Sequence, residues 1–64
     1  MSIESDFEAA KLHAQVLSAE HHCVQHVNAV LEVHGGVPVI FNFTISDWHD
    51  GTTLASYNDG VECQ

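Results

Sequence analysis

The stretch from Val27 to Ser46, VNAVLEVHGGVPVIFNFTIS, decides the fold. Apolar residues occupy alternate positions on both sides of a Gly-Gly pair, which is typical of two strands joined as a β-hairpin. The alternating apolar positions are Val27, Ala29, Leu31 and Val33, followed by Val37, Val39, Phe41, Phe43 and Ile45. Both sets share one face if His34, Gly35 and Gly36 form a three-residue loop with Val33 opposite Val37. The pattern predicts a hairpin with one apolar face, and it assigns Phe41 and Phe43 to the core.

An amphipathic helix is predicted before the hairpin, over about residues 5–22. Ser5 and Glu8 have the spacing of a capping box, and no Gly or Pro follows before the hairpin glycines. A stripe with helical periodicity contains Phe7, Ala10, Ala14, Leu17 and His21. The small alanines in this stripe would let the helix lie close to a sheet.

Three strands are predicted, over about residues 25–34, 37–48 and 52–57. The third follows a turn signal, His49-Asp50-Gly51, whose loop length decides whether Ala55 and Tyr57 or Leu54 and Ser56 face the helix. Burial of Tyr57 favours the first alternative. The expected fold is α+β: residues 1–64 form one small domain in which a helix packs on a three-stranded antiparallel meander, αβββ. Residues 61–64 are expected to be a short tail or a last piece of edge strand.

The charge is strongly one-sided. Nine Asp and Glu residues face a single Lys or Arg, and the formal net charge is −8. Most of these carboxylates must lie in water, because they have no cation within the chain to pair with. The resulting negative field repels nucleic acid and favours basic protein surfaces as partners.

Several function classes are excluded on the same grounds. Ser46, Asp47, His49 and Asp50 lie near an exposed turn, which offers no oxyanion hole or dry pocket, so no enzyme activity is predicted. No phosphate loop, basic patch or apolar run of about 20 residues is present, which argues against direct nucleic-acid binding and membrane insertion. Without a recognisable secretion signal, a cytoplasmic location is expected, with Cys23 and Cys63 as free thiols.

The histidines raise the alternative of a metal site. His22, Cys23 and His26 could supply nitrogen and sulfur ligands to Zn²⁺ if the helix continued that far. The predicted helix end divides this set, and no second ligand pair has a zinc-finger spacing. Polar histidines without metal are the preferred interpretation, and no cofactor is predicted.

The sheet face away from the helix is the predicted partner-binding face. Its members would include Ile40, Asn42, Thr44, Ser46 and Trp48 from the second strand and Asn28, Val30, Glu32 and His34 from the first. Trp48 would be an aromatic anchor within an acidic rim, as in many interfaces. The alternative is that Trp48 folds over the end of the core.

A tiny acidic chain with a helix followed by antiparallel strands resembles the small phage anti-CRISPR proteins that act on type I Cascade complexes. The resemblance covers size, charge and element order and carries no diagnostic motif, so no residue role is transferred by position. It implies that the chain occupies a positively charged DNA-binding surface of a Cas subunit, by DNA mimicry or steric exclusion. The chain itself is expected to be a monomer or weak dimer. A regulatory or antitoxin-like subunit that binds another basic protein is the alternative.

The candidate partner-binding residues follow from the charge argument. On the sheet side they are Glu32, Asp47, Trp48, Asp50 and Asp59, and the alternative cluster at the helix start is Glu4, Asp6 and Glu8. Carboxylates on a rigid scaffold can replace phosphates, because a cationic partner responds mainly to charge and spacing.

Overall fold

The computed structural model describes residues 3–63 and shows one helix and four strands. In chain order they are α1 (Ile3–His21), β1 (Val24–His34), β2 (Val37–Ser46), β3 (Thr53–Asn58) and β4 (Val61–Cys63). The strands form one antiparallel sheet in the order β2-β1-β3-β4. The α+β class is confirmed, but the predicted count of three strands is wrong, because Val61–Cys63 forms a fourth strand at the sheet edge.

The β1–β2 hairpin closes with a two-residue turn. His34 pairs with Val37, and Gly35 and Gly36 have φ angles of 58° and 81°, the left-handed conformation that a two-residue turn requires. The predicted three-residue loop is therefore wrong. A β-bulge in β2 returns the apolar residues of both strands to the same face. Leu31 lies opposite Ile40 and Val30 lies opposite Asn42, so Phe41 is the extra residue of the bulge.

Beyond the bulge, the apolar residues of both strands share the helix face, as predicted. Val27 lies opposite Ile45, and Ala29 lies opposite Phe43. Phe43 packs against the core, with its ring centroid 5.2 Å from that of Phe7. The assignment of Phe41 to the core is wrong, because this bulge residue is 63% exposed.

The predicted meander is also wrong in its strand order. β3 pairs with β1 rather than with β2, and β1 is therefore a central strand. β2 and β3 run in the same direction on either side of β1, so residues 47–52 must cross one face of the sheet. We call this segment the crossover loop. The alternation of apolar residues predicts the first three strands, but it does not predict whether β3 pairs with β1 or with β2.

The helix packs on the face that contains Val27 and Tyr57. Ala14 is fully buried there, and Phe7, Ala10 and Ala55 pack around it. Most of the predicted helix stripe therefore contacts the core, and Ala55 and Tyr57 face the helix as expected. His21, at the end of the stripe, is exposed.

Both predicted helix boundaries need correction. The helix begins at Ile3, so Ser5 and Glu8 lie within it rather than at the positions of a capping box. It ends at His21, because His22 adopts a left-handed φ of 51° and the Cys23 amide donates to the Ser18 carbonyl at 3.2 Å. The chain then turns directly into β1.

Candidate functional site

The crossover loop lies on the sheet face opposite the helix, above His26 and Asn28. Asn28 alternates with the buried helix-side residues Val27 and Ala29, so its side chain lies on the other face. It is nevertheless only 3% exposed, because the loop covers it. The loop and the central strand thus enclose a polar layer, which a simple hairpin connection would not create.

Asn28 holds both ends of the loop. Its side-chain amide donates to Ser46 Oγ at 2.7 Å and to the Trp48 carbonyl at 3.3 Å. Its Oδ1 accepts a hydrogen bond from the Thr53 hydroxyl. Ser46 adds a second contact, since its hydroxyl donates to the same Trp48 carbonyl at 3.3 Å. Buried groups satisfied in this way fix one geometry, because breaking any bond leaves an unpaired polar atom.

The second half of the loop is held by Asp50. Its Oδ1 accepts hydrogen bonds from the Thr52 amide at 2.7 Å and from the Thr52 hydroxyl. The Asp50 amide donates to the Thr53 hydroxyl at 3.1 Å, and its carbonyl accepts from the Thr53 amide at 3.2 Å. The hydrogen bonds from Thr52 lower the pKa of the Asp50 carboxyl, because they favour its charged form.

Two histidines complete the contact between loop and sheet. The ring of His49 meets the ring of His26 edge-on, with centroids 5.4 Å apart. His26 Nδ1 lies 2.6 Å from the Ser56 hydroxyl on the neighbouring strand. This pairing keeps His26 beneath the loop.

Trp48 extends from this anchored backbone into solvent, and 60% of the residue is exposed. The alternative in which Trp48 folds over the end of the core is therefore wrong. The hydrogen bonds to its carbonyl hold the backbone of Trp48 in place, while the indole stays accessible to a partner. Asp47 and Asp50 lie beside it in the same loop and are also exposed.

The structure brings three of the five sheet-side candidates together, namely Asp47, Trp48 and Asp50. Glu32 lies four residues along β1 from Asn28, which corresponds to roughly 14 Å at the rise of a strand. It pairs with His34, with Glu32 Oε1 3.1 Å from Nε2. Asp59 lies in the β3–β4 turn, where its Oδ1 is 2.9 Å from Nδ1 of His22. Glu32 and Asp59 are therefore separate surface carboxylates.

The alternative acidic cluster lies in the first turns of α1. Glu4 and Glu8 are four residues apart and share one side of the helix, whereas Asp6 lies between them in sequence and points elsewhere. Glu8 is partly neutralised by Lys11, whose Nζ lies 2.8 Å from Glu8 Oε1 and 4.7 Å from the centre of the Phe7 ring. The hydrogen bond to Glu8 raises the pKa of Lys11. The single basic residue of the chain is thus engaged.

All nine carboxylates fall within residues 3–63, and all but the half-buried Asp6 are exposed. The surface is consequently anionic on several sides. The crossover loop adds to that charge an exposed aromatic side chain on a hydrogen-bonded backbone.

The weak metal candidates are engaged elsewhere. His22 pairs with Asp59, His26 contacts Ser56, and Cys23 Sγ accepts a hydrogen bond from Gln25 at 3.2 Å. Over residues 3–63, no group of three or more His, Cys, Asp or Glu side chains is placed to hold a metal ion. Cys23 and Cys63 are free thiols.

Sequence reasoning missed the residues that position the loop, above all Asn28 and Thr53. The sequence pattern puts Asn28 on the outward face, where it is one of several polar residues of the strand. Its place between Val27 and Ala29, with Val30 following, is the one signal for a buried hydrogen-bonding role.

Within residues 3–63, no helix is both long and apolar enough to cross a bilayer. No family model, no curated protein and no solved structure matches the chain.

Proposed function

We propose that this chain is a non-enzymatic, acidic binding protein that occupies a positively charged, nucleic-acid-binding surface of a partner protein. The observation that carries the proposal is the crossover loop, in which Trp48 is exposed on a hydrogen-bonded backbone between Asp47 and Asp50. An aromatic anchor with charged neighbours is a common core of protein interfaces.

The charge of the whole chain supports this function. With a net charge of −8 and its only Lys paired to Glu8, the surface attracts cationic partners over a long range and accelerates their encounter. The loop then supplies the specific contact. Grooves that bind single-stranded nucleic acid combine cationic residues with aromatic side chains on which the bases stack. The indole of Trp48 can stack on such side chains in place of a base.

The resemblance to anti-CRISPR proteins suggests the first partner to test, a type I Cascade complex. The separation of Glu32 and Asp59 from the loop supports steric exclusion more than mimicry, because a DNA mimic needs a regular row of closely spaced charges. The chain would cover part of the DNA-binding surface and so block access.

The test is DNA binding by purified Cascade in the presence of wild-type chain or of single charge reversals. Asp47→Lys changes a carboxylate of the loop, and Glu20→Lys is the matched control on the exposed side of α1, with the same change in net charge. We expect Asp47→Lys to weaken inhibition roughly tenfold, corresponding to about 1.4 kcal/mol, and Glu20→Lys to have a much smaller effect.

Asp50 is unsuitable for this comparison, because it also holds the loop together. Glu4→Lys tests the alternative cluster at the helix start. If Glu4→Lys weakens inhibition and Asp47→Lys does not, the binding surface lies on the helix. If Cascade is unaffected by the wild-type chain, the partner is another basic protein, such as the target of a regulatory or antitoxin-like subunit.

A further inference from the structure

The distal part of the β1–β2 hairpin extends beyond the other elements. We call residues 30–41 the hairpin arm. β3 pairs with β1 only as far as Asn28, so the arm is a two-stranded ribbon. Six of its large apolar residues are between 38% and 70% exposed, and they are Leu31, Val33, Val37, Val39, Ile40 and Phe41. A two-stranded ribbon of this kind is at best marginally stable in water without a packing partner.

The two faces of the arm differ in character. Continuing the alternation from Val27 and Ala29, Leu31 and Val33 lie on the helix side, where their partners across the hairpin are Ile40 and Pro38. Glu32 and His34 lie on the opposite side, together with Val37 and Val39. The helix-side face of the arm is thus uniformly apolar, and it continues the core past the end that α1 covers.

The remaining core is small for an independent chain. The buried apolar residues are Ala14, Val27, Ala29 and Tyr57, and two of these are alanines. The accessible surface of 4385 Å² exceeds the roughly 4,000 Å² expected of a compact monomer of this mass. The radius of gyration, 12.2 Å, likewise exceeds the value of about 11 Å expected for this length. Both values show a fold somewhat more extended than an average chain of this size.

We propose that the helix-side face of the hairpin arm packs against the same face of a second copy of this chain, forming a two-fold symmetric homodimer. The six exposed apolar residues of the arm present on the order of 500 Å² over its two faces, which is large for a monomer, and those on the helix side supply part of the roughly 800 Å² that each partner buries in a stable interface. A second copy is present whenever the chain folds, so it is the partner that can complete a deficient core.

The helix-side face of the arm adds no charge repulsion of its own against a second copy. Two chains of net charge −8 repel each other over most of their surfaces. The helix-side face of the arm carries no carboxylate, because Glu32 lies on the other side and is paired with His34. The arm itself therefore places no carboxylate opposite its copy on this face.

The free edge of β2 argues for face-to-face packing rather than edge-to-edge growth. The His34–Val37 pair that closes the turn exchanges hydrogen bonds, so the next residue, Pro38, turns its nitrogen toward the free edge, where it has no hydrogen to donate. The Phe43 amide donates to the Asn42 side chain at 2.9 Å. These two features block strand addition, and the contact closes on itself as a dimer.

The test is sedimentation equilibrium of the full chain, combined with thermal unfolding at two concentrations tenfold apart. We expect a mass twice the 7.0 kDa of the single chain and a thermal midpoint that rises with concentration. A single-chain mass with a concentration-independent midpoint overturns the proposal, and so does a series of masses above that of the dimer.

Matched substitutions locate the interface. Leu31 on the arm is 50% exposed and Leu12 on the helix is 63% exposed, so Leu31→Asp and Leu12→Asp are chemically equivalent changes of surface leucines. We expect Leu31→Asp to reduce the mass to one chain, or to lower the thermal midpoint sharply, while Leu12→Asp remains a dimer. Loss of the dimer with Leu12→Asp alone overturns the assignment to the arm. Should Leu31→Asp fail to fold, the concentration dependence of the wild-type midpoint still decides.

Discussion

The side-chain amide of Asn28, in the centre of the sheet, donates a hydrogen bond to the backbone carbonyl of Trp48 in the loop above it, at 3.3 Å. A buried residue thereby fixes the position of an exposed one. The contact depends on the crossover of residues 47–52, which brings the backbone of the exposed Trp48 over the central strand.

Replacing Asn28 with Ala is expected to loosen the loop and destabilise the fold. The change leaves the Trp48 carbonyl and the hydroxyl groups of Ser46 and Thr53 with fewer partners, at a cost of about 1–3 kcal/mol. Urea denaturation measures the loss, and the fluorescence anisotropy of Trp48, the only tryptophan, reports loop mobility. Asn58→Ala is the control, because Asn58 is exposed and alternates in β3 with the helix-side Tyr57, which puts it on the same face as Asn28. Equal effects of the two substitutions would show that Asn28 has no special role.

The order of the loop is expected to depend on pH through Asp50. The folded pKa of this carboxyl is lowered, so its contribution is present above the unfolded pKa of about 3.9 and is lost as the pH falls through the lower folded value. Trp48 fluorescence in the folded protein should therefore change in this acidic range. Asp50→Asn should abolish that transition. An unchanged transition in the variant would assign it to other carboxylates.

A side chain at Gly60 in the β3–β4 turn is expected to lower the free energy of unfolding. Its φ is +83°, and a Cβ added there would lie 3.1 Å from the Cβ of Ala19. Gly60→Ala should therefore cost about 1–2 kcal/mol, because it adds both backbone strain and crowding against the helix. Gly51→Ala is the control, since no atom lies within 4 Å of its added Cβ, and it should be neutral or stabilising by a few tenths of a kcal/mol. Denaturant midpoints compare the two, and equal midpoints would contradict the close packing of this turn on α1.

The helix and the inner halves of β1 and β2 could be predicted from the sequence, because periodic burial leaves a direct pattern in the order of apolar residues. Val27, Ala29, Phe43 and Ile45 share the helix face for this reason. Two local features escaped the pattern. The glycine turn is one residue shorter than expected, and the bulge at Phe41 compensates for it. The alternation of apolar residues cannot distinguish a three-residue loop from a two-residue turn followed by a bulge, because both put the same residues of β2 on the helix face.

The neighbour of β3 could not be predicted, because pairing with β1 depends on contacts across long sequence distances. The bond from Thr53 to Asn28 spans 25 residues. The acidic and aromatic character of the candidate site was visible in Asp47, Trp48 and Asp50. The hydrogen bonds that hold the loop backbone could not be predicted, because they come from Asn28 and Ser46. In the sequence these two residues look like ordinary surface residues of a strand.

Salt is expected to separate the two components of partner binding. Charge-driven attraction weakens as the Debye length falls from about 10 Å at 0.1 M to about 3 Å at 1 M, whereas the apolar contact of Trp48 does not. Inhibition of Cascade by the wild-type chain should decline steeply with salt. Trp48→Ala should lower affinity by about 2 kcal/mol at every salt concentration, as for the loss of a central aromatic anchor. Parallel salt curves for wild type and Asp47→Lys would contradict a local contribution of the loop carboxylate.

The most direct test labels the single Trp48 with fluorotryptophan and follows its fluorine resonance while unlabelled Cascade is added. The proposed function predicts that the resonance shifts or broadens at low salt, in proportion to the loss of DNA binding, and recovers when salt is raised. Complete inhibition of DNA binding with an unchanged Trp48 resonance would contradict it, because the crossover loop would then lie outside the interface.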